Sequence, residues 1–292
     1  MSAPSPSSVV ATATETARNY YDSSDADTFY HTIWGGSDIH IGLYTSPSDS
    51  IATASQRTVS HMASLLGPIT ASTRFLDMGA GYGGAARYLA KTYGCKVTCL
   101  NLSEIENQRN REMTRESGLE GLVEVVEGSF EHVPCESSVF DVVWSQDAFL
   151  HSGNREAVVR EVCRVIRDDG QVIFTDPMAV GPPNASKHSK ALAPILKRLN
   201  LESLGDYGAY QEVFAELSFS DANLEDLTEQ MVMHYSRVLQ ELESREGELK
   251  GKVSDEYVKN MKVGLGHWIE GGKSGLLQWG VLQFHQKSRE KS

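Results

Sequence analysis

Residues 75–90 read FLDMGAGYGGAARYLA: an apolar run, an acid, a glycine cluster, then an alanine-rich stretch of helical character. A strand that turns through glycines straight into a helix points to an α/β architecture, because the two elements must cover each other's apolar faces. Gly79, Gly81 and Gly84 satisfy G-x-G-x-x-G, the pattern that brings a pyrophosphate onto a helix N-terminus. Gly83 adds a second pattern, D-x-G-x-G-x-G, which begins at Asp77. The loop alone does not choose between a pyrophosphate and a ligand that carries no phosphate.

The alternation continues beyond the loop. Strands are expected at 74–79, 95–102, 122–128, 140–147 and 171–176, with helices at 83–93, 103–118 and 154–170 between them. Ser103-x-x-Glu106 is a capping box, and Gly118 a helix stop. Val158, Val162, Val165 and Ile166 share one helical face behind a candidate N-cap, Asn154. Such an order implies a parallel sheet with right-handed crossovers. The pattern changes after Pro177: no strand signal appears, and Lys187, Lys190, Lys197 and Arg198 cluster in an otherwise acidic chain. A sixth strand is expected within 219–230, helices from there to about Leu249 and over 254–272, and a closing strand within 274–286.

At 292 residues, 40% of them hydrophobic, one α/β domain with insertions is expected. The net charge of −12 argues against a nucleic-acid partner, whose phosphates need an excess of Lys and Arg. No apolar run approaches the roughly 20 residues of a membrane span. Cys95, Cys99, Cys135 and Cys163 lack C-x-x-C spacing and read as buried free thiols of a reducing, cytoplasmic compartment, and no metal ligands are expected. Residues 1–14, rich in Ser, Ala and Pro and free of charged side chains, read as a disordered tail.

A dinucleotide site wants an acid at the end of the second strand for the ribose hydroxyls. That strand ends instead in Asn101 and Leu102. Asp77, two residues before the first glycine, would repel a pyrophosphate and suits an ammonium. S-adenosylmethionine carries an ammonium, a carboxylate, a sulfonium and an adenosine. Its parts match Asp77 for the amine, Gly79, Gly81 and Gly83 for close backbone approach, and Gly128, Ser129 and Phe130 after the third strand for adenine. Gln146, at the end of the fourth strand, is a further candidate contact. Residues 70–180 thus resemble class I S-adenosylmethionine-dependent methyltransferases, which implies a Rossmann-like, seven-stranded, mostly parallel sheet with helices on both faces. YYDSSDADTFYHTIWGGSDIHIGLY near the N-terminus and LQWGVLQF near the C-terminus narrow the resemblance to the sarcosine/dimethylglycine N-methyltransferases of glycine betaine synthesis, over about residues 15–286. The resemblance implies a lid over 15–68, a methyltransferase domain over 69–292 with helical insertions near 178–215 and 228–272, a small amino-acid substrate, and a role in osmolyte synthesis. Oligomeric state is left open. Asn101 departs from the acid of the wider superfamily, but its amide can still accept and donate hydrogen bonds, and Asn101 and Leu102 are the candidate cofactor contacts at the end of the second strand.

Methyl transfer to an amine needs alignment, desolvation and an unprotonated nitrogen. Asp147 and His151, four apart beyond the fourth strand, would share a face on a helical turn. A similar D-x-x-x-H pair occurs in phosphoethanolamine methyltransferases. His151, Asp147 and Tyr21 are the catalytic candidates; the alternative is that Asp147 and His151 only hydrogen-bond locally. Tyr20, Tyr21, Tyr30, Trp34 and Tyr44 make the N-terminal segment aromatic, and Trp34 and Tyr44 are candidates to touch the sulfonium. Arg57, Lys187, Lys190 and Arg198 are candidates for the substrate carboxylate. Rival functions remain at this stage: methylation of phosphoethanolamine or another small molecule, a catalytically silent cofactor-binding module and, more distantly, a nicotinamide oxidoreductase.

Overall fold

The computed structural model describes residues 6–182, 185–220 and 223–287. The chain runs α1 (Pro6–Tyr21), α2 (Ser24–Ile33), α3 (Ile51–Leu65), β1 (Arg74–Met78), α4 (Gly84–Tyr93), β2 (Lys96–Asn101), α5 (Glu104–Glu116), β3 (Val123–Glu127) and β4 (Phe140–Gln146). After a 3-10 turn at Phe149–His151 come α6 (Arg155–Val165), β5 (Ile166–Ala179), the insertion helices α7 (Ala185–His188), α8 (Ala193–Leu199) and α9 (Tyr207–Glu216), then β6 (Asn223–Asp226), α10 (Thr228–Leu249), α11 (Asp255–Lys273) and β7 (Leu277–His285).

The sheet has seven strands in the order β3-β2-β1-β4-β5-β7-β6. β1 to β5 pair in parallel, and β7 lies antiparallel between β5 and β6. Strand order reverses between β1 and β4, which opens a crevice at the carboxyl ends of these strands. One sheet face packs Phe174 of β5 and Phe284 of β7 against Phe149 of the 3-10 turn, Val158 of α6 and Phe214 of α9. The other packs Phe75, Trp144 and Ile173 against Val59, Met62 and Leu89 of α3 and α4. A third core lies above the crevice. There α2 buries Ala26, Phe29, Tyr30 and Ile33, one helical face, against Met231, Tyr235 and Val238 of α10 and Leu265 and Trp268 of α11.

Several boundaries differ from the sequence-based expectations. Residues 1–5 of the expected tail lie outside the described residues, while α1 already starts at Pro6. Its later part is held by tertiary contacts: Ala13 is buried and Thr14 Oγ1 donates to Glu131 at 3.3 Å. Within the expected lid, α3 instead packs into the sheet core, so the covering part is α1, α2 and the loop to about Tyr44. α6 ends at Val165, and residues 166–170 begin β5 through an irregularity in its pairing with β4. Asp169, with φ of 61°, makes the turn that the helical reading did not foresee.

Candidate active site

The glycine loop runs off β1 at the switch point and floors a cavity of about 940 Å³, open mouth included. Asp77, Gly79, Gly81, Asn101, Leu102, Gly128, Ser129, Phe130, Gln146, Asp147, His151 and Tyr21 all line it. Gly81 has φ of 51°, a region that side-chain-bearing residues seldom adopt. Gly83 does not line the cavity: a Cβ there would lie 2.2 Å from Asn110 Oδ1, so this glycine admits α5 rather than a ligand. Gly84 admits the loop between α2 and α3 in the same way, since a Cβ there would overlap Asp38 Oδ1.

Asp38 and His40, which the sequence patterns did not single out, and Glu106, foreseen only as a capping residue, complete the wall. Asp38 and His40 come from the loop between α2 and α3, with His40 Nε2 and Asp38 Oδ1 3.1 Å apart. Burial pushes the Asp77 carboxyl up to about 7, His40 pulls the other way, and Asp38 adds to the rise. Glu106 of α5 accepts a hydrogen bond from Asn101 Nδ2 at 2.9 Å, and burial raises it also to about 7. Gln146 Nε2 and His40 Nδ1 are buried without a hydrogen-bond partner. Lining residues with orphaned polar atoms call for a polar ligand.

A second cavity of about 790 Å³ adjoins the first and shares Ala17, Tyr21, Ile39, Asp147 and His151 with it. Its walls are the rings of Tyr20, Tyr21, Tyr30, Trp34, Tyr235 and Trp268, with Arg198 of α8 at its edge. Arg198 has no carboxylate partner among the described residues, and it lies against Gly264 of α11, where a Cβ would meet its Nη1 at 2.5 Å. Arg198 is therefore the member of the basic cluster that reaches the site. Arg57 is engaged by the Leu43 carbonyl and by Asp49 at 3.0 Å, Lys190 is exposed, and the Lys187 side chain lies outside the described residues.

Trp34 differs from expectation by lining this second cavity, not the first. Tyr44 lines neither: it is buried with its hydroxyl 3.0 Å from His234 Nδ1 of α10. The helical turn expected to align Asp147 with His151 is not formed. Asp147 has φ of 52° and leaves β4 in the left-handed region. Its carboxylate accepts from the Ile41 N–H at 2.7 Å and from Trp279 Nε1 at 2.6 Å, tying the loop between α2 and α3, and β7, to the end of β4. His151 is held separately. Leu150 N–H donates to buried Asp176 at 3.0 Å, fixing the 3-10 turn, and His151 Nε2 lies 3.0 Å from Tyr21 Oη. Burial first, and Arg198 second, push His151 down to about 4, so its imidazole is neutral near pH 7. Burial, reinforced by Tyr20, raises Tyr21 well above its ordinary range and keeps its hydroxyl protonated.

These residues fit S-adenosylmethionine. Asp77 and Asp38 are the acids available to an ammonium, the Gly79–Gly81 turn allows close approach, and Gly128 to Phe130 offer backbone, hydroxyl and ring.

The sheet order and the cavity at its switch point define a class I methyltransferase, and residues 76–174 match the methyltransferase domain family. The chain is 52% identical over 274 residues to the sarcosine/dimethylglycine N-methyltransferase of Halorhodospira halochloris, covering 94% of this chain and 97% of that protein. It is 56% identical over 270 residues to the glycine/sarcosine/dimethylglycine N-methyltransferase of Actinopolyspora halophila, of which it spans only 47%. A Galdieria sulphuraria crystal structure, described as a candidate sarcosine dimethylglycine methyltransferase, superposes with a TM-score of 0.85 at 40% identity, covering 92% of this chain and all of that one. The chain belongs to the sarcosine/dimethylglycine N-methyltransferase family.

Proposed function

We propose that the protein methylates the nitrogen of sarcosine and dimethylglycine, with S-adenosylmethionine as donor, giving glycine betaine. The observation that carries this reading is the pair of cavities that meet at Tyr21 and His151, the second walled by aromatic rings with a single guanidinium at its edge. Arg198 is a partner for the substrate carboxylate, and the rings suit an N-methylated amine that becomes a quaternary cation.

When bound, the cofactor supplies a methyl group activated on a sulfonium; the chain must present an unprotonated nitrogen in line with it. For an amine with a pKa near that of lysine, deprotonation at pH 7 costs about 3.4 pH units, or roughly 4–5 kcal/mol. The burial and the Arg198 charge that drive His151 down to about 4 act on an ammonium in the same place. The pocket therefore favours the neutral amine by its environment, and His151 with Tyr21 orients the nitrogen or accepts its proton. Asp147 serves as a positioning residue, because its oxygens are held by Ile41 and Trp279.

Phosphoethanolamine is disfavoured, since a phosphate dianion would find only one guanidinium among the described cavity residues. Action in the cytoplasm, without a nucleic-acid or membrane partner, belongs to the same reading. It is supported by the free cysteines, of which Cys95 and Cys99 are buried, by the acidic balance, and by the lack of any described helix long and apolar enough to cross a membrane. A panel of amines with labelled methyl donor tests the proposal. Sarcosine and dimethylglycine should turn over, glycine little, and phosphoethanolamine not at all; methylation of phosphoethanolamine with sarcosine inert would refute it.

A further inference from the structure

The second strand ends in Asn101, an uncharged residue where a ribose-binding fold of this topology carries an acid. An acid is nevertheless present beside it. Glu106, on the first turn of α5, lines the same cavity and is only 5% exposed. Its Oε2 accepts a hydrogen bond from Asn101 Nδ2 at 2.9 Å, and its Oε1 has no hydrogen-bond partner among the described residues.

The local structure does not require this arrangement. Ser103 Oγ caps the helix by accepting from the Glu106 N–H at 3.2 Å. In a reciprocal capping box the glutamate would turn back to the N-cap N–H. Here the Glu106 side chain leaves the cap and joins Asn101 in the cavity wall. The β2–α5 junction is already tied by Asn107 Nδ2, which donates to the Asn101 carbonyl at 3.2 Å. With Oε2 held by Asn101, the other oxygen is left open to the cavity, and a ligand that displaced water from it without offering a donor would cost free energy. Vicinal hydroxyls donating to that carboxylate would satisfy it.

We propose that Glu106, oriented by Asn101, is the acid that receives the ribose hydroxyls of the cofactor's adenosine. The function of a strand-end acid has moved to the first turn of the following helix, and Asn101 acts as the positioning residue. The proposal rests on the methyltransferase reading of the cavity and assigns only its ribose contact.

The test is calorimetry of S-adenosylhomocysteine and of its 2′-deoxy and 3′-deoxy analogues. On the unaltered protein, loss of a hydroxyl should weaken binding about 10- to 100-fold, the range for hydrogen bonds to charged groups. In Glu106→Gln, which keeps the size and removes the charge, S-adenosylhomocysteine itself should weaken about 10- to 100-fold. The further penalty for the deoxy analogues should then shrink to about threefold or less. Asn101→Ala leaves the carboxylate but not its holder, and should reduce the deoxy penalty at least about threefold; it carries the test if Glu106→Gln does not fold. Variants that weaken parent and deoxy compounds by the same factor would mark the pair as merely structural and overturn the proposal. So would an unaltered protein that binds the deoxy analogues as tightly as the parent. Failure of the unaltered protein to bind S-adenosylhomocysteine at all would instead overturn the cofactor reading on which the proposal stands.

Discussion

The two cavities are adjacent and built in opposite ways. The cofactor cavity is assembled mainly from short segments at consecutive strand ends: Asp77 to Gly81 after β1, Asn101 to Ser103 after β2, Gly128 to Glu131 after β3, and Gln146 to Ala148 after β4. The aromatic cavity draws Tyr20 and Trp34 from the N-terminus, Arg198 from the insertion, and Tyr235 and Trp268 from α10 and α11. One is a property of the sheet, the other of helices packed over it. Chemistry shared across a fold family resides in the first, and selection of the acceptor in the second. Substitutions in the two should therefore separate cleanly.

The largest effect is expected at Gly81. Valine there must adopt φ of 51° and would crowd Ile39 Cδ1, which already lies 3.6 Å from the position of a Cβ. Gly81→Val should weaken S-adenosylhomocysteine binding by at least about 100-fold in calorimetry, while circular dichroism reports a folded protein. Undiminished affinity would remove the glycine loop from the site. Arg198→Met comes next. Loss of a charge-assisted contact to the substrate carboxylate should raise KM for sarcosine and dimethylglycine about 10- to 100-fold, with cofactor affinity unchanged within about twofold.

Legibility in the sequence follows the same division. Asp77, the glycine turn and the strand-end residues lie within a few positions of one another, so local pattern and strand alternation placed them together. Gly83 shows the limit of that logic, because a glycine that admits Asn110 of α5 leaves the same letter as one that admits a ligand. Arg198 stood among four cationic candidates, and only the packing of α8 on Gly264 of α11 separates it from the rest. An aromatic count does not say which wall a ring joins, so Tyr44 could not be told from Tyr21 before His234 was seen to hold it. The D-x-x-x-H spacing suggested a helical pair, but the positive φ of Asp147 at the strand's end redirects its carboxylate to Trp279, some 130 residues further along the chain. The LQWGVLQF stretch that carried the resemblance owes part of its role to that indole.

Proton linkage sharpens the cofactor half. Asp77, raised to about 7, is partly protonated near neutral pH in the free protein and must ionise to pair with an ammonium. Affinity for S-adenosylhomocysteine should therefore fall as pH drops below about 7, by up to about tenfold per unit, with proton release on binding. Calorimetry in buffers of different ionisation enthalpy reads this directly, and binding without proton release at pH 6.5 would contradict it. His151 is shifted the other way, downward: with a folded value near 4, it contributes stability that is complete above its ordinary 6.5 and declines as pH falls from there toward 4. It should leave no inflection near 6.5 in kcat/KM.

The smallest effect is expected at the seam between the regions. Trp279→Phe removes the indole donor to the buried Asp147 carboxylate and should lower stability by about 1–3 kcal/mol, measured by urea unfolding.

The division of labour is tested most directly by measuring two constants on the same pair of variants: the affinity for S-adenosylhomocysteine and the KM for sarcosine, in Gly81→Val and Arg198→Met. The account predicts a crossed pattern. Gly81→Val should lose cofactor affinity by about 100-fold or more, and Arg198→Met should lose only sarcosine affinity. An Arg198→Met variant that binds S-adenosylhomocysteine as weakly as Gly81→Val does, or that methylates sarcosine with an unaltered KM, would contradict it.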